Sequence, residues 1–167
     1  MPAHTDAARI KNPAMALPGV IEAMTKLFAT AEAAGIPKST HTLMHVRASQ
    51  INGCSVCLDM HSRELAHQGE TNERIFTVAA WRDTPYFSAA ERAALALTEA
   101  VTRVADSPDG VADDVWDEAA RHYSERQLAA LLVSIATINA WNRLMVATRQ
   151  VSGEWVEQVI RGTHAAA

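Results

Sequence analysis

Cys54, Cys57 and His61 fall at i, i+3 and i+7 in the run Asn52-Gly53-Cys54-Ser55-Val56-Cys57-Leu58-Asp59-Met60-His61. On a helix this spacing puts the three side chains on one stripe. Two thiols three residues apart can close a disulfide within one turn, and Gly53 lets the chain break and begin a helix there. The dipole of that helix favours a thiolate, chiefly on Cys54. His61, one turn past Cys57, can take the Cys57 proton or stabilise its thiolate. Three uses of such a set are open. The pair can be a dithiol that attacks an oxidised substrate and then closes on itself. The thiols can be small core residues beside a surface histidine, or zinc ligands. Zinc needs a fourth ligand, and no second Cys-x2-Cys or His-x3–5-His pair follows at finger spacing. The redox use is favoured, and no metal is expected.

The elements that must position these residues read as helices. Apolar residues at Leu17, Val20, Ile21, Met24, Leu27, Phe28 and Ala31 follow the period of an amphipathic helix over Leu17–Ala34, with Pro18 near its start and Gly35 at its end. A second helix is expected from Ser39, as cap, to about Ile51, and a third from about Cys54 to Gln68. A short one follows from Asn72 to Trp81. Ser88-Ala89-Ala90-Glu91 and Ser124-Glu125-Arg126-Gln127 are capping boxes. They open helices to about Ala105 and Gln150, with a helix over Asp113–His122 between them. Leu128, Leu131, Leu132, Ile135, Ile138, Trp141 and Leu144 give the last long helix a broad apolar stripe, so it is expected at the centre. Glu154–Ile160 reads as a terminal helix, and no stretch alternates with the period of a strand.

Composition agrees. The chain has 167 residues and 18.1 kDa, enough for one domain with a core that needs no staple. There are 32 alanines but only 7 glycines, 6 prolines and 9 aromatic residues, which favours an all-α bundle over a sandwich or barrel. The net charge is −4 and both signs are mixed along the chain, so the basic face that nucleic acid demands is missing. The longest apolar stretch, Leu128 to Val133, is too short for a membrane span, and the polar start, Met1 to Asn12, is no signal peptide. A soluble cytoplasmic protein is expected. Residues 1–12 are expected to be a mobile segment, 13–163 one domain and 164–167 a disordered tail.

The run Arg47-Ala48-Ser49-Gln50-Ile51-Asn52-Gly53-Cys54-Ser55-Val56-Cys57-Leu58-Asp59-Met60-His61 closely resembles the signature of the alkylhydroperoxidase D-like branch of the carboxymuconolactone decarboxylase-like superfamily. The segments Trp81 to Thr102 and Ile138-Asn139-Ala140-Trp141-Asn142-Arg143 are similar to that branch too. The resemblance implies an all-α bundle that assembles into symmetric homo-oligomers, often trimers or hexamers. It implies a thiol peroxidase or disulfide reductase without metal or organic cofactor. The roles it implies are Cys57 as the thiol that attacks a hydroperoxide, Cys54 as the resolving thiol and His61 as a proton relay. An external dithiol, a lipoyl-bearing protein in some relatives, would reopen the disulfide. Two other functions fit the superfamily: a non-catalytic redox-sensing or structural oligomer, and a decarboxylase working by proton transfer.

The chain departs from the pattern at one informative place. Better-studied members carry a general-base Glu twelve residues before the first Cys, and that position is Thr42 here, which takes no proton at neutral pH. A position between the cysteines that is often His is Val56. His45, one turn on from Thr42, is the candidate stand-in for the missing Glu, and His41 is the residue before Thr42. Among other residues, Glu91 is expected to cap a helix. Trp81, Trp116, Trp141 and Trp155 are expected to pack, Asp59 to face solvent, and Leu58 and Met60 to face the core or a subunit neighbour.

Overall fold

The computed structural model describes residues 7–153 together with 156 and 157. Among them every regular element is helical. α1 (Pro13–Ala16) is capped by the Asn12 side chain, which accepts from the Ala14 N–H at 3.0 Å. α2 (Val20–Glu32) follows. The helix expected from Leu17 thus begins only at Val20, and α1 is an additional turn before it. Leu17 precedes Pro18, whose ring disfavours the helical region for its neighbour, and Leu17 is extended (φ −108°, ψ 113°). Gly19, at φ 85°, then turns the chain into α2.

α3 (Lys38–Asn52) has Pro37, not Ser39, at its N-cap; Ser39 lies inside the first turn. Gly53 ends α3 at φ 69°, and the Cys54 N–H returns to the Ser49 carbonyl at 3.0 Å. α4 (Ser55–His67) follows directly. α5 (Asn72–Thr77) is shorter than expected, because the chain tightens into a 3-10 segment, Val78–Asp83, kinked at Ala80. α6 (Ala89–Thr102) and α8 (Glu125–Ala147) open on the two expected capping boxes, and α7 (Asp113–His122) lies between them. α6 and α8 both stop about three residues early; a 3-10 turn, Val104–Asp106, follows α6.

α3 and α8 together form the centre. α3 packs against α4, α6 and α8, while α2 packs on α8 and α7 on α6. The core has three parts. Ile36, Met44, Leu97, Leu131 and Ile135 meet between α3, α6 and α8. Leu43, Val46, Leu65, Val78, Trp81 and Leu95 meet between α3, α4 and α6, with Leu58 against them. Ala48, Cys54, Val56, Cys57, Ile138 and Met145 form the third, with Phe28 and Trp141 against them. Each fully buried Leu, Ile or Val contributes about 1.5–3 kcal/mol.

α8, with 23 residues, is long and apolar enough by length and composition to cross a membrane. It is the core helix of this bundle, and it buries Ser134, Thr137, Asn139 and Asn142 as well as apolar residues. Those groups are paired. Asn52 Nδ2 donates to both Asn139 Oδ1 and Asn142 Oδ1 at 2.9 Å, and Asn142 Nδ2 donates to Ser49 Oγ at 3.0 Å. The last turn of α3, just before the cysteines, is thereby tied to α8. The N-terminal segment is tied there as well: the Arg9 N–H donates to the Thr148 carbonyl at 2.9 Å.

Val156 is buried, and Glu157 pairs with Arg63 of α4 at 3.2 Å. The rest of the expected terminal helix Glu154–Ile160, with Trp155 and the 164–167 tail, lies outside the described residues.

Candidate active site

The site grows from the junction of α3 and α4. Because Gly53 takes a left-handed conformation, Cys54 leaves α3 and becomes the N-cap of α4. Its Sγ accepts from the Cys57 N–H at 3.3 Å, so the sulfur occupies the place of a capping oxygen. Cys54 and Cys57 form a disulfide, with Cα atoms 5.4 Å apart. Cys54 therefore sits at the helix end and not on the helical stripe, while Cys57 and His61 share one face of α4. Both cysteines are buried, and the core of α3 and α8 backs them through Ala48, Ile138 and Met145.

His61 is buried too, and two groups meet its ring. His61 Nδ1 lies 3.1 Å from Glu64 Oε2, one turn on along α4. The ring of His45, from α3, lies 4.7 Å from that of His61, centroid to centroid, with the planes inclined at 54°. On its far side His45 meets Phe28 of α2, again at 4.7 Å. All four expected residues, Cys54, Cys57, His61 and His45, are buried, and the two histidine rings are in contact.

His45 is held from a third direction. Its Nε2 lies 2.8 Å from Ser134 Oγ on α8, and the same hydroxyl lies 3.1 Å from His41 Nδ1. A hydroxyl has one proton, so it donates to at most one ring and the other ring must donate to it. The tautomers of His41 and His45 are therefore linked. Burial holds the His45 imidazole well below its ordinary value, and the neighbouring charges of His61 and His41 add to the effect. Burial lowers His41 as well. At neutral pH both rings are neutral.

Glu64 is ionised. Burial alone would raise its carboxyl, but the hydrogen bond and charge of His61 and the Lys38 ammonium, 3.4 Å from Oε1, outweigh it and lower the carboxyl below the ordinary range. Thr42 spends its one proton elsewhere. Its Oγ1 donates to the Lys38 carbonyl and accepts from Gln68 Nε2, both at 3.0 Å. It has no proton left for His61.

Glu64 and Ser134 are additions to the residues read from the sequence, and His41, noted there only for its position, is joined to the site through Ser134. The i, i+3 spacing of His61 and Glu64 is a signal that could have found the first. Nothing local could have found Ser134, which lies 89 positions from His45. The remaining expectations resolve simply. Glu91 caps α6 through Ser88 and also pairs with Arg74. Trp81 is buried and donates to Glu99 Oε1 at 3.0 Å, and Trp141 packs near the disulfide, whereas Trp116 is 39% exposed on α7, which corrects its expected burial. Asp59 is half-buried and paired with Arg63 at 2.6 Å, which corrects its placement in solvent: the i, i+4 geometry brings a guanidinium to it. No three His, Cys, Asp or Glu side chains are arranged to hold a metal ion among the described residues.

Comparison with known proteins agrees with this fold. A family model described as the carboxymuconolactone decarboxylase family matches residues 18–100. The crystal structure of ATU0492 from Agrobacterium tumefaciens superposes with a TM-score of 0.81 at 34% identity, over 89% of this chain and 99% of that one. It is a protein of unknown function for which a role in antioxidant defence as an AhpD has been suggested. The Bacillus subtilis protein YdfG is 38% identical over 112 residues, 67% of this chain and 75% of its own length. The alkyl hydroperoxide reductase AhpD of Methylocella silvestris is 44% identical over 43 residues, 26% of this chain and 24% of that protein.

Proposed function

The chain belongs to the carboxymuconolactone decarboxylase family, in its alkylhydroperoxidase D-like branch, and from that premise we propose that it is a thiol-dependent oxidoreductase cycling Cys54 and Cys57 between dithiol and disulfide. The observation that carries this is the Cys54–Cys57 disulfide at the start of α4, with the buried His61 one turn past Cys57 on the same helix.

In the reduced protein His61 takes the Cys57 proton. The thiolate attacks one oxygen of a hydroperoxide, the O–O bond breaks, and the leaving alkoxide takes a proton from the His61 imidazolium to depart as an alcohol. Cys57 is then a sulfenic acid. Cys54 attacks that sulfur, the S–O bond breaks, and hydroxide takes the Cys54 proton and leaves as water. The disulfide formed is the state of this structure. An external dithiol, such as a lipoyl group carried on another protein, supplies two electrons and two protons to reopen it. A small disulfide can replace the peroxide in the first step. His45 supplies a second, neutral imidazole against His61. The same reading includes a symmetric homo-oligomer, trimeric or hexameric, and a cytoplasmic location.

The test is a single turnover. Anaerobically reduced protein, given one equivalent of hydroperoxide, is expected to go from two titratable thiols to none, with one alcohol formed. Cys57→Ser is expected to leave the peroxide unconsumed. If wild type keeps both thiols, or loses them slowly whatever the oxidant, the cycle is wrong and a non-catalytic redox role stands in its place.

A further inference from the structure

His61 needs one nitrogen free and unprotonated to act on Cys57, and its other nitrogen must carry the proton. Glu64 makes the hydrogen bond to the ring. Its Oε2 lies 3.1 Å from Nδ1, and its Oε1 faces the Lys38 ammonium at 3.4 Å. An ionised carboxylate only accepts, so the proton in this contact belongs to His61 Nδ1. That leaves Nε2 bare. Cys57 is one turn before His61 on the same helix, and both are buried; a carboxylate on one imidazole nitrogen orients such a base and stabilises the imidazolium it becomes.

The pattern on which the resemblance rests puts such a carboxylate at position 42. Thr42 donates its proton to the Lys38 carbonyl and accepts from Gln68, and it carries no carboxylate to offer His61. The two places adjoin each other: Lys38 and Thr42 are one turn apart on α3, and they meet Glu64 of α4 and Gln68, the residue that caps its C-terminus.

We propose that Glu64 is the positioning residue of this site, supplying from α4 the carboxylate that position 42 lacks and fixing His61 as the Nδ1–H tautomer with Nε2 directed to the Cys57 proton. The inference uses the dithiol reading only for what the base does next. The charged and titratable groups around His61 are Glu64 and Cys57 on α4, and His45 and Lys38 on α3, with His41 beyond Ser134.

Two measurements test it. In the unaltered, reduced full-length chain, long-range proton–nitrogen correlation of the His61 ring is expected to show the Nδ1–H tautomer at neutral pH; the Nε2–H tautomer would overturn the proposal. In a Cys54→Ser background, the alkylation rate of Cys57 is followed against pH with and without Glu64→Gln. The glutamine variant is expected to react on the order of tenfold more slowly at neutral pH, with the midpoint of its profile about one unit higher. A lost structural contact would move the unfolding temperature and leave that midpoint in place, which would also overturn the proposal. No peroxide enters either measurement. If the proposed function fails, peroxide leaves both thiols intact while the Cys57 profile still depends on Glu64.

Discussion

The His45 ring touches the His61 ring at a centroid distance of 4.7 Å while its Nε2 is engaged by Ser134 at 2.8 Å. A histidine of α3 is thus fixed by α8 and presented to a histidine of α4. His45→Ala is expected to remove this support and slow alkylation of Cys57 at neutral pH by about tenfold, less than the roughly hundredfold or more that a general acid or base itself contributes, because His45 acts through His61. Stopped-flow alkylation of the Cys54→Ser protein reads the effect. An unchanged rate would take His45 out of the site.

Ser134 answers to two buried rings at once. Ser134→Ala leaves His45 Nε2 and His41 Nδ1 without that hydroxyl. The expected loss is about 2–3 kcal/mol, the cost of buried polar groups left unmatched. Urea unfolding measures it. Ser134→Thr, which keeps the hydroxyl, is expected to lose less.

The same histidines predict an acid-sensitive fold. His45 and His41 bind protons less readily folded than unfolded, where the ordinary value is 6.5. Below about that pH the unfolded chain takes up more protons, so stability falls as the solution is acidified. Glu64 acts in the same direction at lower pH. Its carboxyl is lowered from the ordinary 4.5, so its contribution is present above that value and lost as pH falls through the folded value. Unfolding midpoints between pH 7.5 and 5 are expected to decline, and His45→Gln is expected to flatten the decline.

Gly53 is the hinge that places Cys54 at the α4 cap. At φ 69° it has open space where a side chain would stand, so a substitution meets backbone strain and no collision. Gly53→Ala is expected to cost about 1–2 kcal/mol, and Gly53→Asn less, since Asn tolerates the left-handed region. Thermal unfolding should rank them Gly, Asn, Ala. The reverse order would show that the junction relaxes away from this geometry.

The helices were legible where their signals are local. The Ser88 and Ser124 capping boxes, the α7 limits and the break at Asn52-Gly53 follow from groups within one turn of each other. The misreadings have local causes as well. The apolar period ran through Leu17 and Pro18 without interruption, yet the proline ring forced Leu17 out of the helix. The stretch to Trp81 kept its period, but the chain tightened into a 3-10 segment after Thr77.

The sequence by itself determined the pair Cys54 and Cys57, the glycine that starts a new helix before them and the histidine one turn after, because turn geometry and helical period act over three or four residues. Tertiary structure decided which groups serve that histidine. Ser134 lies 93 positions from His41 and 89 from His45, and only the packing of α3 against α4 and α8 joins them to His61. It also decided that Thr42 is spent on Gln68 and that Glu64 is the carboxylate left for the imidazole. The hydrogen bonds of a buried side chain depend on what the neighbouring helices bring to it, and no periodicity along one helix encodes that.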